Sequence, residues 1–126
     1  MPKSVPTGPD LEPGSMPFSP VVEANGFVFV AGQVGAIPGS AEPVPGGIEA
    51  ETRQMLDNVG RLLRAVGLDY ADVVKATVYM TDMDEFAAMN AIYREYFPSD
   101  QPTRATVGVA RLASTFRIEI EVLAAR

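Results

Sequence analysis

The segment SPVVEANGFVFVAGQ, residues 19–33, decides how this chain begins to fold. It contains two runs rich in valine and phenylalanine, which are typical of β-strands, and the dipeptide Asn25-Gly26 lies between them. Asparagine and glycine tolerate the positive φ angles that a two-residue type I′ turn requires. The segment therefore predicts a β-hairpin.

Two segments after the hairpin have the apolar spacing of helices. Residues 48–66 are followed by Gly67, which lies where a helix C-cap belongs. A second helix is expected over residues 84–97, and its apolar face also carries Asn90. Pro98 ends this second segment because proline cannot continue a helix.

Three further segments, residues 73–81, 103–109 and 116–124, are predicted to be strands. The element order is then ββαβαββ. Two helices are too few to cover both faces of a five-stranded sheet, so we expect an α+β domain with both helices packed on one face. The open face is expected to carry these residues: Lys75, Thr77, Tyr79, Arg104, Thr106, Gly108, Arg117, Glu119 and Glu121.

Residues 1–16 are rich in proline and glycine and predict a flexible N-terminal arm, with residues 17–126 forming a single domain. The N-terminal segment lacks the apolar core of a secretory signal. No run of about 18 apolar residues is present either, so no membrane span is predicted. We expect a cytoplasmic protein that does not bind membranes.

The 126-residue chain contains no cysteine and no histidine. Thiol catalysis, Ser-His-Asp triads and zinc sites built on histidine or cysteine are therefore excluded, and acid–base chemistry falls to Glu, Asp, Lys or Tyr. The net charge of −6 argues against nucleic-acid binding, which depends on basic residues that neutralise phosphates.

The predicted open face combines the apolar run at residues 27–30 with charged residues from the other strands. An interface between copies tolerates an apolar centre with charged pairs at its edge. The sequence therefore predicts a homo-oligomer.

Arg104, at the start of a predicted strand, has two interpretations. It could pair with Glu119 or Glu121 across the strands, or its planar guanidinium could bind the carboxylate of a ligand. If the last two strands are antiparallel neighbours, Arg104 and Glu119 lie close together on one face. Without histidine, Glu119 is the natural proton carrier, although it could equally be a solvated strand residue.

Asn90 and Gly32 also have two interpretations each. Asn90 is either a satisfied buried amide or a ligand contact. Gly32 either relieves crowding at a strand end or lets a substrate approach the backbone closely.

The stretch PTRATVGVARLASTFRIEIEV, residues 102–122, resembles the signature of the reactive intermediate deaminase family, also called the YjgF family. Further similarity extends through NGFVFVAGQVG, the segment QMLDNVGRLLRAVGLDYADVVKATVYMTDMDEF and MNAIYREYF. The resemblance implies a chorismate-mutase-like fold and a homotrimer with a central barrel and clefts between subunits.

The resemblance also implies a function. Family members with the arginine hydrolyse reactive enamines and 2-imino acids to 2-keto acids and ammonia, without a metal or organic cofactor. Other members are binding proteins, and a few are described as ribonucleases. A non-catalytic trimer that binds keto acids is therefore the alternative to a deaminase, and the charge and lack of histidine disfavour a ribonuclease.

By resemblance, Arg104 matches the carboxylate-binding arginine and Glu119 the glutamate beside the attacking water. The implied substrate contacts are Phe18, Ala31, Gly32, Asn90 and the backbone of Thr106. Phe18 and Ala31 depart from the family pattern because a tyrosine and a serine usually occupy these positions. Both changes remove a hydroxyl group, so we expect a less polar pocket.

Overall fold

The computed structural model describes residues 2–126 as five strands and two α-helices. Met1, the first residue of the predicted arm, lies outside the described residues. In chain order the elements are β1 (Val21–Ala24), β2 (Phe27–Val34), α1 (Gly47–Ala65), β3 (Val73–Met80), α2 (Phe86–Tyr96), β4 (Thr103–Gly108) and β5 (Ile118–Ala125). The predicted ββαβαββ order is confirmed.

The N-terminal hairpin has the predicted turn. Asn25 and Gly26 have φ angles of 54° and 80°, as a type I′ turn requires. Val21 pairs with Val30 in the antiparallel ladder between β1 and β2. Because side chains alternate along a strand, Val28 and Val30 are buried, while Phe27 and Phe29 project from the opposite face.

The sheet has the strand order β1-β2-β5-β3-β4. β5 lies between β2 and β3 and is antiparallel to both, whereas β3 and β4 are parallel. A parallel pair needs a crossover connection, and α2 supplies it between β3 and β4. β4 consequently forms one edge of the sheet, separated from β5 by β3.

Both helices pack on one face of the sheet, as predicted. The core between them and the strands is fully apolar at its centre and includes Met55, Leu56, Val59, Leu63, Val78, Met89, Ile118 and Ile120. No layer within residues 2–126 covers the other face, and Phe27 and Phe29 on it are 44% and 48% exposed.

The C-terminus of α1 is capped by backbone hydrogen bonds. After α1, Gly67 adopts a φ of 81° and its N–H donates to Arg64 O, while Leu68 N–H donates to Leu63 O. This pair of hydrogen bonds is a Schellman motif and confirms the predicted C-cap. Near the start of α1, Thr52 Oγ1 donates to Ile48 O at 2.7 Å.

Asn58 ties α1 to the segment that follows β2. Its buried amide nitrogen donates to Val34 O at 3.0 Å and to Ala36 O at 2.8 Å. These bonds satisfy two carbonyl groups where the chain leaves the sheet. They hold the end of β2 in place just beyond an irregularity in its pairing with β5.

The N-terminal segment makes several contacts with the domain. Ser4 and Glu23 exchange backbone hydrogen bonds of 2.8 Å, and Leu11 is buried at the end of a 3-10 turn. The guanidinium of Arg61 lies 3.6 Å from the carboxylate of Asp10. These contacts keep residues 4–11 against β1 and α1.

The predicted open face is wrong for β4 and for Arg117, whose guanidinium pairs with Glu51 of α1 on the helix-covered side. Arg104 is in register with Ala76 on β3, and Thr106 with Val78, so both lie on the helix-covered face rather than on the open face with Glu119. Gly108, in register with Met80, follows them. Alternation along β4 fixes only which residues share a face, whereas the parallel register with β3 decides which face that is.

Candidate active site

Arg104 is held by side chains from α2. Its Nη1 atom donates a 2.6 Å hydrogen bond to Asn90 Oδ1. The guanidinium carbon lies 4.7 Å from the centroid of the Tyr93 ring and 5.5 Å from that of the Phe86 ring. Cation–π attraction to both rings restricts the guanidinium to one orientation.

Arg104 has no acidic partner within residues 2–126. Other arginines of the chain do form ion pairs with carboxylates, namely Arg53, Arg61, Arg64, Arg117 and Arg126. The bond to Asn90 uses only Nη1, so Nε and Nη2 have no protein acceptor in the described part of the chain. These two nitrogens present the fork that matches the two oxygens of a carboxylate.

A cavity of about 240 Å³ adjoins Arg104. Its lining combines α2 with the segment before β4: Asn90, Tyr93, Arg94, Phe97, Gln101, Pro102 and Arg104. Two hydroxyl oxygens close to Arg104 in the fold, those of Tyr93 and Thr106, are buried without a hydrogen-bond partner within residues 2–126. Unpaired buried polar groups are costly, so both hydroxyls need a partner that residues 2–126 do not supply.

Glu119 lies on the open face of the sheet, where β5 pairs with β2 and β3. Its carboxylate packs against Gly32, because a Cβ atom at Gly32 would lie only 2.5 Å from Glu119 Oε2. Burial is the main reason that the pKa of Glu119 is raised, and the negative charge of Glu121 adds to it. A raised pKa suits a carboxyl group that must take up and release a proton near neutral pH.

The condition for contact between Arg104 and Glu119 is not met, because β4 and β5 are separated by β3. Glu119 is in register with Tyr79, whereas Arg104 is in register with Ala76, and the two side chains leave the sheet on opposite faces. For the same reason Arg104 does not pair with Glu119 or Glu121. The interpretation of Arg104 as an internal ion-pair partner is therefore wrong.

The predicted site residues fall into two groups. Asn90 and Thr106 lie on the side of Arg104, whereas Gly32 lies beside Glu119. Phe18 is exposed and lines, with Gly32, a cavity of about 470 Å³ between the N-terminal segment and the loop after β2. Ala31 lines a different cavity of about 350 Å³ on the open face.

Sequence reasoning missed the two aromatic residues that hold Arg104. Phe86, Asn90 and Tyr93 lie at positions i, i+4 and i+7, so they share one face of the α2 region. The sequence placed both rings only on the apolar face of the second predicted helix. Predicting that β3, α2 and β4 form a parallel β-α-β unit would have placed this face of α2 over Arg104. The sequence analysis did not make that prediction.

Within residues 2–126, neither a cluster of candidate metal ligands nor a helix that could span a membrane is present. Across residues 2–126, no group of three or more Asp, Glu, Cys or His side chains could hold a metal ion. No helix in the same range is long and apolar enough to cross a membrane.

Comparison with known proteins identifies the family. A sequence model of the family described as "Endoribonuclease L-PSP" matches residues 11–126. The human protein named 2-iminobutanoate/2-iminopropanoate deaminase is 42% identical over 113 residues, which cover 89% of this chain and 82% of the human one. The mouse protein of the same name is 43% identical over 108 residues, covering 86% and 80% of the two chains.

Solved structures show the same fold. Yeast Mmf1 superposes with a TM-score of 0.90 at 32% identity and covers 99% of both chains. TdcF from E. coli, solved with bound serine, superposes with a TM-score of 0.85 at 34% identity and covers 94% of this chain and 96% of TdcF. Together, the family match, the sequence identities and the shared fold show that this chain belongs to the reactive intermediate deaminase family, the YjgF or endoribonuclease L-PSP family.

Proposed function

We propose that this protein is a cofactor-independent deaminase that hydrolyses 2-imino acids, and the enamines that tautomerise to them, to 2-keto acids and ammonia. The observation that carries the proposal is the guanidinium of Arg104, which is fixed by Asn90 and two aromatic rings and has no acidic partner within residues 2–126. Its relatives named 2-iminobutanoate/2-iminopropanoate deaminase support this reaction.

The substrate carboxylate would bind to the free Nε and Nη2 atoms of Arg104. Such a charge-assisted contact contributes about 1.5–3 kcal/mol. The hydroxyl of Tyr93 is a donor near neutral pH, as a phenol ordinarily is, and burial raises its pKa further although the charge of Arg104 opposes the shift. The substrate would then present its imine carbon at a fixed distance from the carboxylate anchor.

The hydrolysis needs one group that moves a proton twice. Glu119 takes a proton from water as its oxygen attacks the carbon of the protonated imine, and a neutral carbinolamine forms. The same carboxyl then returns that proton to the nitrogen, and the C–N bond breaks to release ammonia. The hydroxyl of the intermediate loses its proton as the carbonyl forms, and the released ammonia takes that proton up as ammonium. One water is consumed, and no oxidant, reductant or metal enters the balance.

The cleft would lie between two copies of the chain. In a single chain, Arg104 and Glu119 lie on opposite faces of the sheet, so the two residues of one cleft come from different copies. Exposed Phe27, Phe29 and Val107 provide an apolar surface on the open face for such an assembly. We propose a homotrimer whose open faces form the central barrel, acting in the cytoplasm on a small molecule.

The proposal is tested by generating imines with an amino-acid oxidase and trapping them with semicarbazide. Wild type should suppress trapping, whereas Arg104→Ala and Glu119→Gln should not. Arg53→Ala is the matched control, because Arg53 already has an acidic partner in Glu95 and its loss should leave the rate unchanged.

The same variants separate an enzyme from a keto-acid binding protein. Calorimetry with 2-keto acids should show that Glu119→Gln still binds and that Arg104→Ala does not. If wild type binds keto acids but never suppresses trapping, the binding function is correct and the deaminase proposal is wrong.

A further inference from the structure

Glu119 shares the open face with a second carboxylate, Glu121, two residues further along β5. Neither forms an ion pair within residues 2–126. On the neighbouring β2, Gly32 and Val34 contribute no titratable group beside them. At the start of β5, the guanidinium of Arg117 is already paired with Glu51 and Glu85.

β3 contributes the remaining titratable groups on this face, Tyr79 and Lys75. Lys75 is in register with Leu123, beyond Glu121, and forms no ion pair in the described part of the chain. Tyr79 is in register with Glu119, but its hydroxyl donates a 2.7 Å hydrogen bond to Glu121 Oε1, the diagonal neighbour. Glu119 receives no hydrogen bond from another residue within 2–126.

We propose that Tyr79 is a positioning residue that, by donating its hydroxyl hydrogen bond to Glu121, makes Glu119 the member of this carboxylate pair that binds and releases the proton during imine hydrolysis. This inference rests on the proposed function. Tyr79 and Glu121 do not touch the reacting atoms; they act through Glu119.

The physical reason is that two neighbouring carboxylates resist carrying two negative charges. A hydrogen bond to one carboxylate favours its charged form, so the pair takes its first proton on the other. Tyr79 stays a donor near neutral pH because the hydrogen bond to Glu121, together with the negative charges of Glu121 and Glu119, raises the pKa of its phenol. The environments of the two carboxyl groups are thereby made unequal.

The experiment is a ¹³C NMR titration of protein carrying glutamate labelled at the carboxyl carbon, with Glu119 and Glu121 assigned from their glutamine variants. In wild type, Glu119 should titrate above the ordinary range of a glutamate. Glu121→Gln should lower the midpoint of Glu119 by about half a pH unit or more, as expected for charges several ångströms apart near a protein surface. Glu95→Gln, on the exposed side of α2, should leave that midpoint unchanged.

Tyr79→Phe separates positioning from a merely structural role because it keeps the ring. In the wild-type background it should lower the midpoint of Glu119, because the hydrogen bond that favours a proton on Glu119 is lost. In the Glu121→Gln background it should have no further effect on Glu119. An unmoved Glu119 midpoint in Glu121→Gln, or an equal effect of Tyr79→Phe in both backgrounds, would overturn the inference.

The pH dependence of kcat/KM gives the kinetic counterpart. Its acidic midpoint should fall in Glu121→Gln by the same amount as the NMR midpoint, because Glu119 must be ionised to accept a proton from water. If wild type shows no imine hydrolysis, the proposed function fails, while the NMR titration still tests the coupling between Glu119 and Glu121. If wild type is active and the midpoint is unmoved, only the inference about Tyr79 fails.

Discussion

Arg104 and Glu119 project from opposite faces of the same sheet, with β3 between their strands. Arg104 faces α2 and Glu119 faces away from it. Two side chains in this relationship cannot enclose one small molecule within a single chain. The proposed chemistry therefore depends on contact between copies, and on how firmly each chain presents its own half of the cleft.

The half of the cleft that carries Arg104 should bind its ligand more weakly if the guanidinium gains an acidic partner within the chain. Asn90→Asp replaces the acceptor 2.6 Å from Nη1 with a carboxylate of nearly the same shape. The new ion pair would compete with the ligand, and we expect affinity for 2-keto acids to fall about 10- to 100-fold, the equivalent of one charge-assisted bond. Calorimetry measures this loss.

Gln101→Glu is the control for Asn90→Asp. It adds the same charge to the wall of the same cavity, but Gln101 bonds to Phe97 O rather than to Arg104. A loss of affinity equal to that of Asn90→Asp would show that net charge in the cavity, and not occupation of the guanidinium, weakens binding.

The half of the cleft that carries Glu119 depends on Gly32 having no side chain. A Cβ atom there would lie 2.5 Å from Glu119 Oε2, well inside contact distance, so the carboxylate must move. We expect Gly32→Ala to lower kcat by about tenfold or more, because small displacements of a catalytic group are costly, while the melting temperature changes little. Gly14→Ala, where a Cβ would meet nothing within 4 Å, should retain wild-type kcat.

Restoring the two hydroxyl groups that the family pattern predicts should change substrate preference. Phe18→Tyr and Ala31→Ser each add one donor, and one neutral hydrogen bond contributes about 1 kcal/mol. We expect each change to shift the ratio of kcat/KM between a small imine and a large apolar imine by about fivefold in favour of the small one. An unchanged ratio in the double variant would show that these positions do not contact the substrate side chain.

Glu51, 3% exposed beneath Arg117, should make stability depend on pH. Burial is the main cause of its raised pKa, and the N–H of Arg117, which donates to it at 2.9 Å, opposes the shift. The stability that such a group contributes is complete below its unfolded pKa and is lost as pH rises through its folded pKa. Glu51→Gln removes this pH-dependent loss of stability and keeps an oxygen that can accept the hydrogen bond from the N–H of Arg117.

The expected result is that the melting temperature of Glu51→Gln, relative to wild type, improves as pH rises from about 4 to about 7. Glu95→Gln removes an exposed carboxylate whose hydrogen bond with Arg53 lowers its pKa, so its relative melting temperature should worsen over the same interval. Parallel curves of melting temperature against pH for Glu51→Gln and wild type would contradict the account of Glu51.

Local chemistry made most of the fold predictable from sequence. Asn25-Gly26 specified the hairpin, Gly67 marked the end of α1, and the burial of Ile118 and Ile120 followed from alternation. Pairing between distant strands cannot be read from local sequence patterns. The parallel pairing of β4 with β3 depends on how α2 crosses the sheet. That is why the sequence placed Arg104 on the wrong face.

The site was predictable in its residue types but not in its arrangement. Arg104, Asn90 and Glu119 were singled out from the sequence as candidate site residues, and their roles remain predictions. Phe86 and Tyr93 were missed because an aromatic residue on a buried helical face ordinarily belongs to the core. The division into an arm of residues 1–16 and a domain of residues 17–126 also stays a prediction.

The central claim is that Arg104 of one copy and Glu119 of another complete each cleft, and mixed assemblies test it most directly. Arg104→Ala and Glu119→Gln chains, each inactive alone, should be unfolded together in equal amounts and reassembled. Random mixing into trimers leaves most assemblies with one intact cleft, so roughly a quarter of wild-type activity should return. Mixed trimers that form but show no activity above that of the separate variants would contradict the account.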